Sequence, residues 1–123
     1  MLAVLDCVST PPALSQVPQW FEEWEQVLSR FRYNSELTLL NQKHEQPVQV
    51  SQILWDVFQS AREAERMTNG LVTPTLLDAI IEAGYDRPFE ELPHLATLTP
   101  VTVKTSVPSL KEIAINDIAR TIT

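Results

Sequence analysis

Val17-Pro18-Gln19-Trp20-Phe21-Glu22-Glu23-Trp24-Glu25-Gln26-Val27-Leu28-Ser29-Arg30-Phe31 carries the clearest periodicity in the chain. Val17, Trp20, Phe21, Trp24, Val27, Leu28 and Phe31 fall at i, i+3, i+4, i+7, i+10, i+11 and i+14, one face of an amphipathic helix. Pro18 suits a first helical turn, where its missing N–H costs nothing. Glu22, Glu23 and Glu25 precede Arg30 and Arg32, the order that the helix dipole favours. The spacing therefore predicts a long helix with Trp20, Phe21, Trp24, Val27 and Leu28 in the core.

Working outward, Asn34-Ser35 can break and recap the chain, and Glu36 to Gln42 suits a short second helix carrying Leu37 and Leu40. Pro47-Val48-Gln49-Val50 alternates as a short extended segment. Ser51 is placed to cap a further helix, whose stripe runs Ile53, Leu54, Val57, Phe58, Ala61, Ala64 and Met67. Asn69-Gly70 is a helix stop, because Gly takes φ > 0 freely. Thr73-Pro74 is expected to open a helix as cap and first residue, with Leu76, Leu77, Ile80 and Ile81 as its stripe and Gly84 as its end. Upstream, Leu2 to Val8 reads as a strand ended by Pro11-Pro12. Downstream, Pro93 to Pro108 reads as a long connection with a short strand at Val101 to Val103. Lys111 to Asn116 and Arg120 to Thr123 read as a hairpin turning at Asn116-Asp117. These elements give an α+β fold, three main helices packed on a small sheet, without βαβ alternation.

Composition excludes several function classes. The chain has 123 residues, a size for a single domain, with 44% hydrophobic and 20% charged residues. Its two glycines, Gly70 and Gly84, cannot build a Gly-rich phosphate loop. One cysteine and two histidines cannot build a four-ligand Cys/His zinc site. A lone cysteine forms no intrachain disulfide, which fits a reducing compartment and an expected cytoplasmic location. The net charge of −7 lacks the basic excess of a nucleic-acid binder. The longest apolar stretch, Met1 to Leu5, is far short of a membrane span and has no basic region before it, so neither a span nor a signal peptide is expected. Asp6 beside Cys7 argues against a lipidated cysteine.

Taken alone, the residues offer no catalytic constellation. His44 and His94 lie in expected loops, and Cys7 has no base near it in sequence. Ser29, Ser35 and Thr73 read as capping hydroxyls, and the glutamate cluster as a solvated helix face. Two segments are odder. Leu28 to Asn41 packs two aromatics and two arginines into a corner between helices. Thr68 to Thr75 places a glycine turn ahead of an expected helix N-terminus, whose free N–H groups suit an anion or a polar ring edge.

Together these segments resemble the FAD:protein FMN transferase family, also called the ApbE family. Leu28, Ser29, Phe31, Ser35, Glu36, Leu37, Leu40 and Asn41 match its pattern LS-x-aromatic-x-x-x-SE-L-x-x-LN. Asn69-Gly70-Leu71-Val72-Thr73-Pro74-Thr75-Leu76 stands where the family has T-G-G-A-F-D-P-T-V-G. Gly84-Tyr85-Asp86 resembles its G-[YF]-D, and Glu112 to Thr123 resembles the hairpin before its D-L-G-G-I-A-K-G. The order and spacing of four segments make the resemblance specific. There are departures: Thr73 replaces the family's Asp, Leu77 replaces a Gly, and the D-L-G-G-I-A-K-G segment and the magnesium-binding Asp and Thr are absent.

The resemblance implies a single partial, T-fold-like domain over residues 1–123, corresponding to the amino-proximal portion of the family. It implies Phe31 as the aromatic that stacks on the adenine of FAD. It implies Leu71, Val72 and Thr73 as a segment lining the same flavin nucleotide, largely through backbone. No residue is implied as catalytic and none as a metal ligand. The family reaction is magnesium-dependent transfer of FMN from FAD to a threonine hydroxyl of a flavin-acceptor protein. The expected partners are FAD, that acceptor protein for the full-length enzyme, and a second copy of the chain in a homo-oligomer. Without the metal-binding half, such a chain is expected to be inactive alone. The alternatives are a non-catalytic binding or interaction module, or an inactive truncated gene product.

Overall fold

The computed structural model describes residues 12–43, 45–92 and 102–123. The expected strand at Leu2 to Val8, together with Cys7, His44 and His94, lies outside them. The chain forms an α+β arrangement, with four α-helices and a three-stranded antiparallel sheet among the described residues. It divides into two compact units, residues 1–42 and 43–123.

In the first unit a 3-10 turn, Pro12–Gln16, leads into helix α1, Val17–Leu28, with Pro18 in its first turn. The helix ends three residues earlier than its periodicity predicts. Ser29 takes an extended conformation, its N–H still bonded to the Glu25 carbonyl at 3.0 Å. The expected core stripe is also corrected: Trp20, Phe21 and Trp24 are 49%, 57% and 52% exposed, and no residue of α1 is buried. Periodicity reports which side chains share a face; it does not supply the surface that covers them. Helix α2, Glu36–Asn41, follows, capped by Ser35, whose Oγ accepts from the Thr38 N–H at 3.1 Å.

The second unit holds the core. Strand β1, Val48–Gln49, precedes helix α3, Gln52–Met67, which Ser51 caps by accepting from the Leu54 N–H. Asn69 and Gly70, at φ 50° and 83°, stop this helix, and the Gly70 N–H returns to the Glu65 carbonyl at 2.9 Å. Helix α4, Leu77–Glu82, begins later than Thr73-Pro74 predicts. The hydroxyls of Thr73 and Thr75 lie 2.8 Å apart, and the Thr75 N–H points at Thr73 Oγ1, so both side chains hold a non-helical turn instead of capping a helix. Gly84, at φ 98°, ends α4.

Thr102 and Val103 form no strand. The expected hairpin forms but is shorter: Lys111 and Glu112 belong to a 3-10 turn, and β2, Ile115–Asn116, pairs with β3, Thr121–Ile122, around a turn in which Asn116 Oδ1 accepts from the N–H groups of Ile118 and Ala119. Its second strand has another neighbour. The sheet order is β1-β3-β2, and Ile122 faces both Val48 and Ile115 across the antiparallel ladders. Among the described residues, Val50, Leu54, Trp55, Leu110 and Ile122 are the buried apolar side chains, drawn from the sheet and its flank, α3 and a 3-10 turn at Leu110–Glu112.

Candidate functional site

The corner after α1 is built on hydrogen bonds to one carbonyl. Ser35 is fully buried, and its Oγ donates to the Ser29 carbonyl at 2.5 Å and lies 2.9 Å from Thr38 Oγ1. Thr38 Oγ1 reaches the same carbonyl at 3.4 Å. Ser29 in turn accepts from the Phe31 N–H. The serines at the two ends of this segment therefore fold the chain back on itself, and Phe31 is carried at its apex.

Phe31 is 41% exposed, and the Arg30 guanidinium carbon lies 4.2 Å from its ring centroid. A cation over an exposed ring contributes about 0.5–1 kcal/mol. It also occupies one face of the ring. Arg32 turns the opposite way, onto α1. Its NH1 and NH2 grip the two Glu22 carboxylate oxygens at 2.6 and 2.9 Å, with Glu25 3.3 Å from Nε. The hydrogen bond from Arg32 holds the Glu22 carboxyl below the usual range, and Glu22 raises Arg32. Of the two arginines, one thus flanks the candidate ring and the other fixes the corner.

In the second unit Leu71 is 88% exposed and Val72 is half-exposed, while Thr73 is half-buried. The Val72 N–H donates to Thr68 Oγ1 at 3.0 Å. Just upstream, Asn69 and Gly70 help to line a cleft of about 860 Å³ between α3 and residues 109–115, within the size range of small-molecule sites. Arg62, Arg66 and Lys111 bring positive charge to it. Glu65 also lines it, and its Oε2 is buried without a hydrogen-bond partner. Leu71, Val72 and Thr73 are not in the cleft lining, although the turn before them is. Sequence reasoning missed this cleft, because Arg62, Glu65 and Lys111 are brought together only by packing of the 109–115 segment on α3.

Among the described residues, no three His, Cys, Asp or Glu side chains stand where they could hold a metal ion. No helix among them is long and apolar enough to cross a membrane.

A family model described as the ApbE family matches residues 3–121. The chain belongs to the ApbE family. In comparisons with curated proteins and with solved structures, nothing matches. Membership gives the two odd segments a shared context, since the match spans both the Leu28–Asn41 corner and the Asn69–Thr75 turn. At the level of the family it also brings flavin chemistry, with FAD and magnesium.

Proposed function

We propose that this chain supplies the adenine-stacking and nucleotide-lining portion of an FAD:protein FMN transferase. The match over residues 3–121 is the observation that carries this reading. In the reaction, an acceptor threonine oxygen forms a bond to the FMN phosphorus as the diphosphate linkage breaks and AMP departs. Phe31 presents an exposed ring, which fits stacking on adenine. Leu71 and Val72 leave the turn open to solvent, which fits approach of a nucleotide to its backbone. Thr73 brings no charge, and its hydroxyl is already shared with Thr75, so its part is limited to shape and a hydrogen bond.

Magnesium, where the family uses it, offsets diphosphate charge. The described residues do not fit it, and no step is drawn through it. The proposed part of this chain is nucleotide binding, as one portion of the family domain and in the cytoplasm, with transfer left to the full-length enzyme. Self-association belongs to the same reading: β2 lies at an edge of the sheet, and Ile118 in the adjoining turn is 98% exposed. Edge strands are templates for another chain.

Titration of the chain with FAD, read by flavin fluorescence, tests the binding. Saturable quenching that is lost in Phe31→Ala is the expected result. Equal binding by that variant would remove Phe31 from the site.

A further inference from the structure

Glu82 ends α4, and a carboxylate in a last helical turn faces the negative end of the helix dipole. What compensates it comes from a distant stretch of chain. Its Oε1 accepts from the Lys104 N–H at 3.0 Å, and its Oε2 from the Thr105 N–H at 2.8 Å and from the Thr105 hydroxyl. The same stretch is tied a second time: Thr75 Oγ1 donates to the Pro108 carbonyl at 2.6 Å. Thr75 precedes α4 and Glu82 closes it, so residues 105 to 108 run back along the helix from its end to its beginning. The lengths agree. Six helical residues rise about 9 Å, and three extended steps span about 10 Å. Residues 102–108 have neither helix nor strand, so these side-chain bonds do the fastening.

We propose that residues 102–108 are a strap over α4, latched by the Glu82 carboxylate and fastened at its far end to Thr75. The strap delivers the chain to Ser109, where a capping box with Glu112 starts the 3-10 turn that buries Leu110. Opening the latch frees the Thr73–Thr75 turn from the Pro108 carbonyl, so the conformation of that turn depends on a residue at the opposite end of α4. The latch stands whether or not that turn meets a flavin.

Hydrogen exchange followed by mass spectrometry on the full chain tests it. In Glu82→Gln, peptides covering 102–108 and 72–76 should exchange roughly tenfold faster, because the carboxamide keeps only one uncharged acceptor for the two amides that the carboxylate oxygens hold. Peptides from α3 should be unchanged. Trypsin should likewise cut after Lys104 more rapidly. Unchanged exchange at 102–108 overturns the latch. Equal deprotection of α3 overturns it as well, since Glu82 would then support the whole unit. Thr105→Val removes one of the three bonds and keeps the carboxylate; it should give a smaller acceleration in the same two peptides, and no acceleration there also counts against the strap.

Discussion

Ser35 is the residue on which the first unit turns. It caps α2 and at the same time holds the Ser29 carbonyl, so one hydroxyl serves two elements. Ser35→Ala removes the cap, worth about 1–2 kcal/mol, and leaves the Ser29 carbonyl with the longer bond to Thr38. A lower urea midpoint with an unchanged slope is the expected outcome. Glu22 offers a second test. Its carboxyl is lowered by the hydrogen bond from Arg32, so the folded state binds a proton less readily than the unfolded chain. The stabilisation is present above the ordinary glutamate value of about 4.3 and is lost as pH falls through the lower folded value. An NMR titration of the Glu22 carboxyl should show its midpoint rise in Arg32→Gln. Both caps, Ser35 and Ser51, were legible because a capping hydroxyl acts within a few residues of itself. The Glu22–Arg32 pair was not, because it depends on where α1 stops.

At the scale of elements, the helix starts at Ser35 and Ser51 and the stops at Asn69-Gly70 and Gly84 were legible, whereas the end of α1 and the start of α4 were not. Asn69-Gly70 and Gly84 announce positive φ, which few other residues take readily. Thr73-Pro74 resembles a start, yet the Thr75 hydroxyl has a partner at Pro108 that sequence spacing cannot show. The middle position of β3 was equally hidden, since nothing local marks Thr121-Ile122 as facing Val48-Gln49. Ile122 is 4% exposed between two cross-strand neighbours. Ile122→Ala should cost about 2–5 kcal/mol, a large share of a small domain's stability, read as a drop in thermal midpoint. The α1 stripe gives the opposite expectation. Iodide should quench Trp20 and Trp24 while sparing Trp55, which is buried against α3's own Phe58. Trp24→Ala should accordingly move the midpoint little.

For the molecule as a whole, family membership was legible through four short segments in order, none sufficient by itself. The cleft beside Asn69–Gly70 was not, because its charges come from α3 and from residues some forty positions later, on the order of a whole supersecondary unit away. Under the proposed reading, in which this chain supplies only the nucleotide-lining portion, incubation with FAD, magnesium and a flavin-acceptor protein should give no covalent flavin band; a band would overturn it. Sedimentation velocity should show a dimer or larger assembly that Ile115→Lys weakens, a charge placed on the edge strand. A single monomeric species at high concentration would remove the edge from the account.

The place of β3 between β1 and β2 also sets an order of events during synthesis. Val48 leaves the ribosome long before Ile122, which is its ladder partner. At typical elongation rates the delay is about 4–15 s, many times longer than a hairpin needs to form. Throughout that interval the nascent chain can complete α3 but has no sheet to place beneath it. Once Thr121 and Ile122 emerge they can join both edges in one step, so the sheet of the second unit closes only then.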